Sequence, residues 1–229
     1  RQRQMCIRDS ILEIDNKSMT NRPDLWGHYG IAREIAALYD LPMTQFPHFD
    51  RNVENTSGFH VTVEDAERCP RMTGTQIENV CVKPAPYWMQ VRIWKTGMRP
   101  INALVDITNY VMLATGQPSH AYDSDHIAGH IIVRRAKAGE TLTLLNGKEL
   151  PLSTDDLTIA DDAGIVGLAG VMGGAKDSIL PTTSKVILEI ANFQAAGIRR
   201  TALRYDNRTE ASARYETVSY THLRAHETE

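Results

Sequence analysis

Short hydrogen-bonding side chains and a histidine concentrate in one stretch, residues 99–123, which reads RPINALVDITNYVMLATGQPSHAYD. Asn102, Asp106 and Asn109 recur at i, i+4 and i+7, a spacing that puts them on one face of a helix. Buried amides and carboxylates must find partners, either within the fold or in a ligand. His120 follows in a predicted loop, where an imidazole could serve as a general base or simply pack. The stretch therefore predicts a pocket.

That pocket requires a helix behind it. Pro100 suits a first helical turn, and Gly116 with Pro118 signals a stop, so the helix is predicted over about residues 101–114. Thr108 and Asn109 lie where its polar and apolar faces meet. The residues expected to face the core are Ile101, Leu104, Val105, Thr108 and Met112.

The remaining elements predict an α+β protein with a β-rich core flanked by helices. Hydrophobic spacing indicates further helices over residues 24–39, 87–96 and 194–204. Predicted strands cover residues 59–63, 73–82, 131–136, 141–144, 157–161, 165–169 and 186–190. Asn146-Gly147 indicates a hairpin. No Pro/Gly/Ser-rich linker divides the chain, so we expect one interwoven module.

Composition bounds the class of protein. The 229 residues, 42% of them hydrophobic, suffice for one substantial core or two small ones. No apolar run is long enough for a membrane span, and three cysteines without a CxxC pair favour a reducing cytoplasm. A net charge of -3 and a pI near 6.3 argue against a strong stand-alone nucleic-acid binder. Two basic clusters, Arg134, Arg135 and Lys137, then Arg199, Arg200, Arg204 and Arg208, are either solvated or contact phosphate.

Six segments in order resemble the B3/B4 region of the bacterial phenylalanyl-tRNA synthetase beta-subunit family. They read DNKSMTNRPDLWGHYGIAREIAALYDLP, RPINALVDITNYVM, QPSHAYD, GLAGVMGG, ILEIANF and RTEASARYE. The resemblance covers residues 11–216 and implies that this range is a B3/B4 tRNA-editing module. Residues 1–10 and 217–229 fit neither the family nor any helix or strand pattern. We interpret both ends as non-native, adapter-like tails.

The resemblance implies hydrolysis of tyrosine wrongly attached to phenylalanine tRNA. It implies a cytoplasmic synthetase of two alpha and two beta subunits, which uses ATP and magnesium for aminoacylation. The editing module itself is expected to need no cofactor and no metal. Two alternatives remain: a non-catalytic module that positions tRNA and the alpha subunit, and a free-standing binder of aromatic metabolites. Affinity for free tyrosine or phenylalanine would distinguish the last of these.

The family match also implies the site residues. Glu189 is expected to accept a hydrogen bond from the tyrosine hydroxyl, His120 to orient the ester or water or to act as base, and Arg99 to anchor the terminal adenosine. The substrate-binding residues are Thr108, Asn109, Gly170, Thr209 and Ala211. From the residues alone, Glu189 could instead face solvent on its strand. The glycine-rich run could be a structural turn, since it lacks a phosphate-loop ending.

Overall fold

The computed structural model describes residues 11–14, 19, 21–46, 59–176 and 178–217. The predicted tails, apart from Thr217, lie outside the described residues. The helices are α1 (His28–Leu38), α2 (Tyr87–Lys95), α3 (Ala103–Thr115), α4 (Ala195–Arg204) and α5 (Glu210–Tyr215). The strands are β1 (Val61–Val63), β2 (Arg71–Glu78), β3 (His120–Asp123), β4 (Ile131–Arg135), β5 (Thr141–Thr143), β6 (Glu149–Pro151), β7 (Leu157–Ala160), β8 (Ile165–Leu168), β9 (Met172–Gly173) and β10 (Lys185–Asn192).

Two sheets and a small hairpin organise these strands. The larger sheet has the order β1-β4-β7-β8-β9, in which β1 and β4 are parallel and the other pairs antiparallel. The second sheet has the order β2-β10-β3 and is antiparallel throughout. In it, β10 is the central strand, and its Glu189 lies directly opposite His120 of β3. The pairing of β10 with β3 therefore places Glu189 and His120 next to each other.

The inner faces of both sheets contribute to one hydrophobic core. Tyr122 and Ile187 come from the three-stranded sheet, and Val133, Ile159 and Leu168 come from the five-stranded sheet. A second, smaller cluster joins α2 to α3. The predicted α+β class with a β-rich core flanked by helices is confirmed. Among the described residues, no helix is both long and apolar enough to cross a membrane.

The helix behind the predicted pocket begins two residues later than expected. Asn102 is its N-cap, and the Asn102 side chain accepts hydrogen bonds from the backbone N–H groups of Leu104 and Val105, both at 3.1 Å. Asp106 accepts a bond from the backbone N–H of Ile101 at 2.8 Å. Ile101 and Pro100 therefore precede the helix. The prediction that Ile101 faces the core was wrong, since it is 62% exposed.

Local turn chemistry accounts for the hairpin that the sequence predicted. Gly147 has a φ of 81°, a left-handed conformation that glycine adopts at little cost. The Asn146 side chain accepts a bond from the backbone N–H of Lys148 at 3.1 Å. The strands β5 and β6 pair on either side, and the prediction is confirmed.

Among the α-helices and strands of the described residues, β3, β9 and α5 were not predicted. Of these, β3 matters most, because the sequence placed His120 in a loop and the structure places it in a paired strand. Four residues that follow a proline show no strand periodicity of their own. The strand forms because β10 offers a free edge to pair with.

Candidate functional site

A cleft lies where the two sheets and α5 meet. Its cavity volume is about 70 Å³, which is smaller than a typical small-molecule site. Residues from β3 and β10 form one wall, and the run from Gly167 to Gly173 forms the opposite wall. The lining residues are Pro118, Ser119, His120, Tyr122, Ile159, Gly167, Leu168, Ala169, Gly170, Val171, Met172, Gly173, Glu189, Phe193, Ala211 and Tyr215.

Glu189 is the buried acidic group of this cleft, with 6% of its surface exposed. Its Oε2 accepts a hydrogen bond from the hydroxyl of Tyr122 at 2.5 Å. Burial raises the pKa of the Glu189 carboxyl to about 7, and the Tyr122 bond partly opposes that rise. Near neutral pH the carboxyl is therefore divided between its charged and neutral forms. The alternative in which this strand glutamate faces solvent is excluded.

His120 lies beside this pair. Its ring packs edge-on against Tyr122, with the centroids 4.5 Å apart and the planes at 73°. Burial lowers the pKa of the imidazole to about 4, so the ring is neutral at physiological pH. Efficient general bases have pKa values closer to the working pH. His120 is consequently better suited to orient an ester or a water by hydrogen bonding than to hold a proton.

Two glycines allow the aromatic wall to approach the other sheet, and sequence reasoning assigned neither of them to the site. Gly167 and Gly173 are paired residues of β8 and β9. A side-chain carbon on Gly173 would lie 2.6 Å from Nε2 of His120, and one on Gly167 would lie 3.6 Å from the Tyr122 hydroxyl. The GG at residues 173–174 was a visible signal, but only the packing of the two sheets brings Gly173 close to His120.

Gly170 and Ala211 line the cleft, as the family match implied. Gly170 has a φ of +66°, and a side-chain carbon there would lie 2.9 Å from Cδ1 of Ile198 and 3.1 Å from the rings of Phe193 and Tyr215. Conformation and packing both require glycine at this position. Ala211 lies on α5. Its small side chain leaves the end of the cleft open.

Arg99, Thr108, Asn109 and Thr209 are not among the residues that line the cleft. Arg99 is exposed ahead of α3, and Asn109 is half-buried within that helix. The Thr108 hydroxyl donates to the carbonyl of Val105 at 2.8 Å, within the same helix. The structure thus brings together four of the eight predicted site residues, His120, Glu189, Gly170 and Ala211. The substrate-contact roles of the other four stay predictions.

Thr209 does not line the cleft, but it hydrogen-bonds to Val171, which does. Its hydroxyl caps α5 by accepting from the backbone N–H of Ser212 at 3.0 Å, and it donates to the carbonyl of Val171 at 2.9 Å. Thr209→Val should lower the free energy of unfolding by about 1 kcal/mol, because the cap and the tether are both lost. Thr209→Ser keeps the hydroxyl and should stay close to the native value. Urea denaturation of both variants tests this, and equal losses would contradict the capping role.

Carboxylates neutralise much of the predicted basic clusters. Arg134 pairs with Glu140 at 2.7 Å, and Arg208 pairs with Glu216 at 3.2 Å. Arg204 forms an ion pair with Asp156. These contacts favour a structural role for these three cations over contact with phosphate.

Asp156 is the centre of a buried polar network between α4 and the turn before β7. Its carboxylate is fully buried and accepts bonds from Thr201 at 2.9 Å, from Tyr205 at 2.5 Å and from the backbone N–H of Ser153 at 2.8 Å, besides the Arg204 contact. Every donor comes from a segment that packs behind the cleft. The network therefore fixes α4 against the larger sheet.

The fold and the cleft define an α+β domain with a small cleft between two sheets. A family model described as the B3/4 domain matches residues 68–223, and the chain belongs to this family. The chain is 48% identical over 212 residues to the phenylalanine–tRNA ligase beta subunit of Solibacter usitatus, covering 92% of this chain and 28% of that protein. With the same subunit from Latilactobacillus sakei it shares 41% identity over 217 residues, 91% of this chain and 26% of that one.

Among solved structures, the chain is similar to an N-terminal fragment of the phenylalanyl-tRNA synthetase beta subunit from Pyrococcus horikoshii. That match has a TM-score of 0.46 and 18% identity, and it covers 86% of this chain and 63% of that one. This chain spans about a quarter of the length of the curated relatives described above.

Proposed function

We propose that this module hydrolyses the ester of tyrosine wrongly attached to phenylalanine tRNA. The observation that carries the proposal is the buried carboxyl of Glu189, which lines the cleft and already accepts a hydrogen bond from a phenolic hydroxyl, that of Tyr122. A pocket that selects phenylalanine by shape rejects an added hydroxyl only about a hundredfold, so a second site that recognises the hydroxyl corrects the error.

Glu189 and His120 have different roles in the proposed hydrolysis. Glu189 accepts the hydroxyl of the tyrosyl ring, which a phenylalanyl ring lacks. His120 orients the ester or the attacking water through its neutral imidazole, and a ribose hydroxyl of the substrate assists in taking the proton. Water attacks the ester carbonyl, the bond to the ribose oxygen breaks, and tyrosine and intact tRNA leave.

The longer relatives extend the proposal to an assembly. We place the module in a beta subunit that acts with an alpha subunit and phenylalanine tRNA in the cytoplasm. The relatives' name, phenylalanine–tRNA ligase, supports this placement. In such an enzyme ATP and magnesium serve the aminoacylation step, and that chemistry belongs outside this cleft. Arg99 and the α3 residues Thr108 and Asn109 are proposed to contact the tRNA end or the amino acid's polar atoms.

The test is deacylation of tyrosyl- and phenylalanyl-tRNA by residues 11–216 grafted into an otherwise intact synthetase. Tyrosyl ester should be lost selectively, and Glu189→Ala should reduce the tyrosyl-to-phenylalanyl rate ratio about 10- to 100-fold, because a hydrogen bond to a charged group is lost. His120→Ala should slow hydrolysis with less change in that ratio.

Two outcomes would favour the alternatives. Hydrolysis no faster than in an editing-deleted enzyme, with aminoacylation intact, would leave the module as a tRNA-positioning scaffold. Tight binding of free tyrosine or phenylalanine by the 229-residue chain without hydrolysis would instead indicate a metabolite binder.

A further inference from the structure

Tyr122 makes the most direct contact with the acidic group of the cleft. Its Oη donates to Oε2 of Glu189 at 2.5 Å, and the residue is only 2% exposed to solvent. Tyr122 and Glu189 lie on adjacent strands, and both line the cleft. A phenol of the protein therefore already occupies one acceptor position of the carboxylate expected to recognise a phenol of the substrate.

The neighbours of Tyr122 hold its hydroxyl in place. The His120 ring packs against it from the same strand. Gly167 of the opposite sheet leaves its hydroxyl free of a clash, because even an added side-chain carbon would lie 3.6 Å away. A buried ring packed against His120 loses little further entropy when it makes its hydrogen bond.

We propose that Tyr122 is a positioning residue for tyrosine selectivity: its hydroxyl holds one oxygen of Glu189, so that the remaining acceptor positions of the carboxylate meet the substrate's hydroxyl. This inference rests on the proposed function. A carboxylate has about four acceptor positions, so one bond to Tyr122 leaves room for a second donor. Without that bond, the Glu189 side chain could rotate away from the ring end of the cleft.

The titratable groups around Glu189 decide the sign of the pH effect. His120 faces it from β3 and is neutral above about pH 4, and burial raises the pKa of the Cys69 thiol to about 12. Both stay uncharged between pH 6 and 9, so Glu189 and its Tyr122 bond dominate that range. The Tyr122 bond favours the ionised carboxyl, so its removal raises the pKa of Glu189 further.

The experiment compares the full 229-residue chain with its Tyr122→Phe variant across pH 6 to 9. For each protein, the ratio of tyrosyl- to phenylalanyl-tRNA hydrolysis is measured and corrected for spontaneous loss. The native ratio should rise through about pH 7 as Glu189 ionises, because a charged acceptor binds the hydroxyl more strongly. In Tyr122→Phe we expect a ratio about tenfold lower at pH 7, with the rise moved up by about one pH unit; at about pH 9 the ratio should recover only in part, because the ionised carboxylate is no longer held in place.

Tyr205→Phe is the matched control. It removes another phenol-to-carboxylate bond of the same 2.5 Å length, to Asp156 outside the cleft. Any loss of stability should resemble that of Tyr122→Phe, but the pH profile of the ratio should stay native. A merely structural role of Tyr122 predicts a loss that is equal at every pH, and that result would overturn the inference.

A second measurement separates the inference from the proposed function. Carbon-13 NMR of protein labelled in its glutamate carboxyls follows the titration of Glu189 directly, with the signal assigned from Glu189→Gln. Tyr122→Phe should move this titration upward by about one pH unit, and an unchanged titration would overturn the inference. If the module grafted into the synthetase hydrolyses neither ester, the proposed function fails, and the carboxyl titration alone decides whether Tyr122 controls Glu189.

Discussion

Gly173→Ala is expected to slow tyrosyl-tRNA hydrolysis about a hundredfold while the fold persists. The added carbon would lie 2.6 Å from Nε2 of His120, which is too close for any contact, so the imidazole must move. A displacement of about 1 Å in a reacting group commonly costs a hundredfold in rate. Because the clash is with the far end of a side chain, the backbone can stay in place. Single-turnover deacylation together with circular dichroism tests both halves of the prediction.

Gly197→Ala is the control for that variant. It also adds one methyl group, but within α4, where its nearest atom is Oε1 of Gln194 at 3.6 Å. Alanine is a better helix former than glycine by about 1 kcal/mol, so stability should hold or improve. Native rates for Gly173→Ala would show that His120 does not depend on the space that this glycine leaves.

Asp156→Ala should cause the largest loss of stability among the variants considered, about 3 kcal/mol or more. The change removes the acceptor of the buried Thr201 hydroxyl and the ion-pair partner of Arg204. It also breaks one bond each from the Tyr205 hydroxyl and the Ser153 N–H, which keep the Pro151 carbonyl and the Tyr205 hydroxyl as acceptors. Each buried donor left unpaired costs about 1–3 kcal/mol. For a domain of this size the melting temperature should fall by roughly 10 °C. Thermal and urea unfolding measure the loss.

The adjacent aspartate offers a control in the same turn. Asp155 pairs with Arg68 at 2.5 Å, but 41% of the Asp155 side chain is exposed. Exposed ion pairs contribute about 1 kcal/mol or less, so Asp155→Ala should be much milder than Asp156→Ala. Similar losses of unfolding free energy in the two variants would contradict a larger stabilising contribution from the buried Asp156 network.

The sequence was informative wherever the determinants of structure are local. Asn146-Gly147 specifies its hairpin through the left-handed conformation of the glycine. The helix over residues 103–115 has its stop at Gly116, which has a φ of 82°. A short apolar run over residues 186–190 also predicted β10, the strand that carries Glu189. In each case neighbouring residues alone determine the backbone.

The sequence was less informative where partners distant in the chain decide the structure. The polar residues of α3 suggested a ligand site, but Asn102 and Asp106 satisfy backbone N–H groups at the start of the helix. His120 was assigned to a loop because the pairing that makes β3 a strand comes from β10. The closeness of Gly173 to His120 likewise depends on how two sheets pack, which no local pattern encodes.

The central position of β10 means that the cleft assembles late in folding. Residues 185–192 pair with residues 71–78 on one side and with residues 120–123 on the other. Ala211 and Tyr215, which complete the cleft, come later still. Such non-local pairings form slowly in folding because long loops must close first. A nascent chain thus has no assembled cleft until α5 has been synthesised and docked.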